Sequence, residues 1–231
     1  MNRSTQILCI WSIPAFIISY TVCFVFVAGF VPPPSPTLSA AEMVTLFDEN
    51  RFGIRAGLLL CMIFSILYMP WSAVVSVHMA RLEGRFPVLA SLQLVGAAIL
   101  VVFFMLCSLI WIAAAFRPDI DPVTLVVLND LSWLIFVMAF PEYWLQLLAI
   151  AVVFFRDTRP VPFIPRWACY FTLMVALTGA GGSLAAFFKS GPWAWDGLLG
   201  FWVPVISYLI WLIVMFPLLL RGVRQHAHER E

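Results

Sequence analysis

The chain has 231 residues, of which 63% are hydrophobic and 11% charged, and its net charge is +1. A water-soluble domain carries about 45–50% apolar and about a quarter charged residues, so a soluble module is excluded and the chain reads as a membrane protein. The near-neutral balance, with no basic run before the extreme C-terminus, excludes a nucleic-acid partner.

A membrane-crossing helix needs about 20 mostly apolar residues. Six segments qualify, at about 7–30, 56–79, 88–115, 131–155, 167–188 and 198–220. The expected fold is therefore an all-α integral membrane protein, a single polytopic domain over residues 1–231. Arg3 leads into the first segment, whose 24 residues exceed the roughly 7–15 of a signal-peptide core. VPPPSP (31–36) ends it. SAAE (39–42) then reads as a capping box, Ser39 at the N-cap and Glu42 three residues on. Met43, Leu46 and Phe47 fall on one side of that helix, which predicts an amphipathic segment over about 39–51 lying on the outer interface.

The second span carries a polar stripe, Ser65, Tyr68, Ser72 and Ser76, and a helix-bending Pro70. After the third span, DIDPVT (119–124) places Asp121 as cap and Pro122 as first residue of a helix reaching Phe155. Its first turns are expected to project outside. TGAGGS (178–183) in the fifth span lacks the glycine at Leu184 and the lysine of a phosphate loop. Gly179, Ser183, Ala176 and Ala180 point instead to close helix packing. In KSGPWAWDGLLGFW (189–202), Trp193, Trp195 and Trp202 suit an interfacial belt, with a ligand-facing lid as the alternative.

Alternate connections differ in charge. One set holds nine Arg, the other Arg51, Arg55, Arg117 and Lys189. The excess of positive charge on the cytoplasmic side places both termini inside, in a multi-pass plasma (inner) membrane protein. In the HAHER tail (226–230) the spaced histidines read as solvated, beside Arg221 and Arg224 near anionic headgroups. The five cysteines sit in apolar segments without a C-x-x-C pair and read as small buried hydrophobes.

FPEYWLQ (140–146) raises the functional question. Glu142 lies about 17 Å along a span that starts at Leu131, near the midplane, where a charged side chain costs at least about 2.5–3.5 kcal/mol. No Lys, Arg or His matches its depth, so Glu142 is either protonated or reached by water. Asp130 sits at the outer mouth of the same helix, roughly 18 Å away, too far for an acid/base pair. Pro141 should bend the helix and free the carbonyl of Val137. Gln146 lies one turn below Glu142. The expected site is a cavity around Glu142 walled by Tyr68, Trp71, Ser72, Trp144, Gln146, Tyr208 and Trp211, with the indole N–H groups seeking Glu142, Tyr68 or Tyr208.

No metal or cofactor is expected. Lys189 is the single lysine and lies at a helix end, and only His78 among the histidines falls in a span, which excludes a retinal Schiff base and bis-histidine haem. The leading expectation is a binding protein for a lipophilic small molecule or a membrane partner, surrounded by lipid and open to homo-oligomerisation. One alternative is a membrane-embedded enzyme with Glu142 as general acid on an isoprenoid-like substrate. The other is a small proton-linked transporter or channel.

Overall fold

The computed structural model describes residues 2–225, so the HAHER motif lies outside the described residues. Among them, every regular element is helical. Six helical stretches are long and apolar enough to cross a membrane: Arg3–Val27, Arg51–Glu83, Val88–Phe116, Pro122–Phe155, Arg166–Ala186 and Leu198–Gln225. They correspond in order to the six expected segments.

The first stretch is α1 (Arg3–Thr21), which widens into a π-helical turn over Val22–Val27. Next comes α2 (Ala40–Glu49), with the expected box formed in full: Ser39 Oγ accepts from Glu42 N at 3.3 Å and Ser39 N donates to Glu42 Oε2 at 2.8 Å. The apolar side of α2 does not face outward. Met43 and Phe47 are buried, with Phe47 beside the Phe30 ring, and the helix packs on α6 (Pro122–Met138).

The second stretch consists of α3 (Arg51–Ser65) and α4 (Tyr68–Glu83), separated at Ile66–Leu67. Pro70 explains the interruption. It has no N–H for the Ile66 carbonyl, and Met69 N takes that carbonyl at 3.0 Å in a tighter turn. The third stretch, α5 (Val88–Phe116), is the hub, packing on α3, α4 and α7 (Phe140–Phe155) and on α6, which follows it. Other segments satisfy both of its ends. Glu83 accepts from Leu89 N (2.9 Å) and Ala90 N (2.7 Å), while Arg51, paired with Asp48, donates to the carbonyls of Ala115 (3.1 Å) and Arg117 (2.8 Å). These bonds supply the partners that helix termini otherwise lack.

The fourth stretch divides into α6 (Pro122–Met138) and α7 (Phe140–Phe155). Asp121 caps α6 through Thr124 N at 2.9 Å, with Pro122 in the first turn as expected. Then follow α8 (Arg166–Ser183), a short 3₁₀ turn at Leu184–Ala186, a π-helical turn at Leu198–Trp202 and α9 (Val203–Gln225).

One loop is fixed by a buried carboxylate. Asp157 accepts from Arg159 Nε (2.8 Å) and Nη2 (2.6 Å) and from Phe163 N (2.7 Å). Burial alone would raise its pKa. The Arg159 guanidinium and the backbone N–H groups of Phe163 and Arg159 outweigh burial and hold the carboxyl below the usual range. Phe163, so anchored, stacks on His78 at 4.0 Å and packs on Gly222. His78 Nε2 meets Gln6 Oε1 at 2.7 Å, joining α4 to α1.

Trp195 is 3% exposed and donates from Nε1 to the Pro34 carbonyl at 2.9 Å. It ties two loops together and is not part of an exposed belt.

Candidate functional site

The site begins at a break in the backbone. Pro141 lacks an N–H and its ring excludes the carbonyl four residues earlier, so α6 cannot run on into α7. The chain turns at Ala139 (φ −69°, ψ 48°), in the region of an inverse γ-turn. The freed Val137 carbonyl, expected from the sequence, lies against Gly182 of α8, where an added Cβ would overlap it. Gly179, one turn earlier, lies against the Tyr143 ring. The small residues of TGAGGS therefore serve close packing, here against the break itself.

Glu142, in the first turn of α7, is 6% exposed. Its Oε1 has no hydrogen-bond partner among the described residues, and neither do Gln146 Nε2 and Trp71 Nε1. Gln146 Oε1 accepts from the Tyr68 hydroxyl at 2.9 Å, and Tyr68 accepts from the Tyr208 hydroxyl at 2.7 Å. Three of the expected residues, from α4, α7 and α9, thus form one hydrogen-bonded chain. Gly96 of α5 permits it, since a Cβ there would fall 2.9 Å from Gln146 Cγ and 3.1 Å from the Glu142 carbonyl oxygen.

The remaining expected residues separate. Ser72 accepts from Gln93 Nε2 at 2.7 Å and Ser76 donates to the Ala90 carbonyl at 2.9 Å, so these two face α5. The lower part of the stripe is thus a helix-to-helix seam; Tyr68 bonds to α7, and Ser65 donates to the Met62 carbonyl of its own helix at 2.7 Å. The three indoles expected at mid-depth find other partners: Trp144 donates to the Ala176 carbonyl (2.6 Å) and Trp211 to Thr172 Oγ1 (2.9 Å), while Trp71 meets Trp211 edge-on at 5.6 Å. Asp130 is half-buried on α6, away from this chain.

A hollow lies elsewhere. A partly open cavity of about 260 Å³ is lined by α1, α5, α6, α7, α8, α9 and the two π-helical turns. Its wall is almost wholly apolar, with Phe16, Phe24, Phe104, Phe136, Phe201 and Trp202 as the large rings. Of the residues expected around a cavity, only Tyr208 borders it. Tyr143 borders it in place of its neighbour Glu142, because successive residues of a helix point about 100° apart.

Three backbone irregularities meet this cavity. Phe24 and Val25 come from the first π-helical turn, Ala139 is the break, and Gly200, Phe201 and Trp202 come from the second π-helical turn. Such turns shift side chains off the regular helical pattern and recur at functional sites. The rings are locked by one another: Phe24 stacks on Phe136 at 5.3 Å, Phe104 lies 6.1 Å from Phe16, and Phe136 lies 6.3 Å from Phe201. A cage of mutually buttressed rings can hold an apolar guest through dispersion and burial without polar help.

The sequence points to an aromatic-lined cavity around Glu142 rather than here, and of the rings that line this one it singles out only Tyr208 and, as part of a possible lid, Trp202. The two segments that supply its π-helical turns, VCFVFV (22–27) and LLGFW (198–202), carry no polar mark. The one legible hint is glycine near each, Gly29 and Gly200, in otherwise apolar runs. Comparison of the chain with protein-family models, with curated proteins and with solved structures finds no match.

Proposed function

We propose that this is a binding protein of the plasma membrane, with both termini on the cytoplasmic side, that holds a compact lipophilic molecule in the aromatic cavity. The orientation rests on the excess of arginine in one set of connections. The observation that carries the binding role is the cavity itself: about 260 Å³ of apolar space, bordered by three departures from regular helix. An engineered cavity of about 150 Å³ already admits benzene, so this one suits a guest of about two fused rings or a short branched hydrocarbon. Catalysis by Glu142 gains no support from the geometry, because an acid must lie within hydrogen-bond reach of the group it protonates and Tyr143 occupies the wall instead.

The reading is tested with the reconstituted protein and a naphthyl trifluoromethyl-diazirine as hydrophobic photoprobe. Illumination should place adducts on peptides containing Phe201 or Tyr208. Val205→Phe, which fills the cavity from α9, should reduce those adducts at least tenfold. Native mass spectrometry of the purified wild type should detect a lipophilic adduct that Val205→Phe lacks. Equal labelling of both proteins would refute the reading.

A further inference from the structure

The cavity has a second apolar space beside it. Phe103 of α5 and Leu134, Ile135 and Met138 of α6 line a groove of about 250 Å³, and all four are half-exposed. Ala139 lines both this groove and the central cavity. Neighbouring residues divide between the two spaces. Phe104, Phe136 and Val137 border the cavity, while Phe103, Ile135 and Met138 border the groove.

An unbroken helix places a cylinder about 10–12 Å across, side chains included, between the two sides it separates. At Ala139 that cylinder is interrupted. Pro141 denies the backbone its regular continuation, and the side chain at the turn is a single methyl group. Ala139, at the break, is the residue that the linings of groove and cavity share. Resting on the cavity reading above, we propose that Ala139 marks a lateral portal, through which a lipophilic guest passes from the bilayer into the cavity between α5 and the α6–α7 break. The occupant of the groove is then the same class of molecule in transit, an apolar compound dissolved among acyl chains. Such a route keeps the guest out of water at every stage, whereas entry from either aqueous face would expose its apolar surface.

The test follows the naphthyl diazirine in time. Probe-loaded phosphatidylcholine vesicles are fused with vesicles containing the full-length protein, and flash photolysis at increasing delays reports when adducts reach Phe201 or Tyr208 peptides. Ala139→Trp should slow their appearance at least tenfold. Met138→Trp, which adds bulk on the groove side only, should slow it in the same sense and decides the matter if Ala139→Trp fails to fold. Ala139→Gly should label as fast as wild type or faster. Wild-type rates in both tryptophan variants, with Val205→Phe still unlabelled, would overturn the portal and leave the binding role standing. Labelling of Val205→Phe equal to wild type would sink the binding role itself.

Discussion

Two regions of this protein are built on opposite principles. The seam between α4, α5 and α7 is polar and closed: Ser72, Ser76 and Gln93 bond across it, Tyr68 reaches Gln146, and Gly96 lets the helices meet. The cage between α1, α5, α6, α7, α8 and α9 is apolar and open, with Phe, Tyr and Trp rings around the hollow. Hydrophobic burial gives no net drive for helices to associate in lipid. Directional bonds and small residues pull the seam tight, while the cage stays hollow because π-helical turns and a broken helix keep its rings from interlocking fully.

The sharpest way to break the comparison is to add atoms to each region. Gly96→Val in the seam should meet Gln146 and the Glu142 carbonyl and lower stability by about 3 kcal/mol, the upper end for overpacking. Val205→Phe in the cage should change it by less than ~0.5 kcal/mol, since the added ring has space to enter. Thermal unfolding in detergent checks both, and similar losses would erase the distinction between them.

A smaller effect is expected at the seam's end, where Asp157 anchors Phe163 against His78. The folded carboxyl titrates below its unfolded value of about 3.9. Its contribution is therefore full above about pH 4 and lost as the pH falls through the folded pKa. Asp157→Asn should cost about 1.5–2 kcal/mol at neutral pH, in the range of hydrogen bonds to charged groups, and should flatten the acid limb of a stability-against-pH curve. Photoprobe labelling of the cage at pH 7 should not change in this variant.

Glu142→Gln is expected to do least. The carboxyl borders neither the cavity nor any hydrogen-bond partner through Oε1, and an amide keeps its shape without an ionisable proton. Unfolding temperature and naphthyl labelling should match wild type within error. Loss of labelling would move Glu142 into the binding site, and a proton flux in vesicles abolished by the same change would favour the transport alternative.

These regions were unequally legible in the sequence. The six apolar stretches, the Ser39 and Asp121 caps and the interruptions near Pro70 and Pro141 rest on local chemistry, which a single chain displays. Tyr68, Gln146 and Tyr208 were also found, because polar side chains stand out in an apolar span. The cage was not, since a phenylalanine facing lipid and one facing a cavity are the same letter in the same hydropathy. Phe26 is exposed and Phe24 buried within one short turn, and only tertiary packing separates them. The polar marks drew attention to Glu142, whereas in this molecule polarity chiefly records where helices adhere.

The bond from Trp195 to the Pro34 carbonyl joins residues 161 positions apart in the chain, and α1 packs on α9 as well as α4. During synthesis the first helix must therefore wait in the bilayer until the last pair has emerged before its final neighbours exist. Until then Phe16 and Phe24 have only their earlier partners, among them Tyr68, Phe104, Trp111 and Phe136. A ribosome stalled before Trp195 would hold a cavity still lacking the wall that Gly200 to Leu212 supply, so the hollow is complete only after nearly the whole polypeptide has been made.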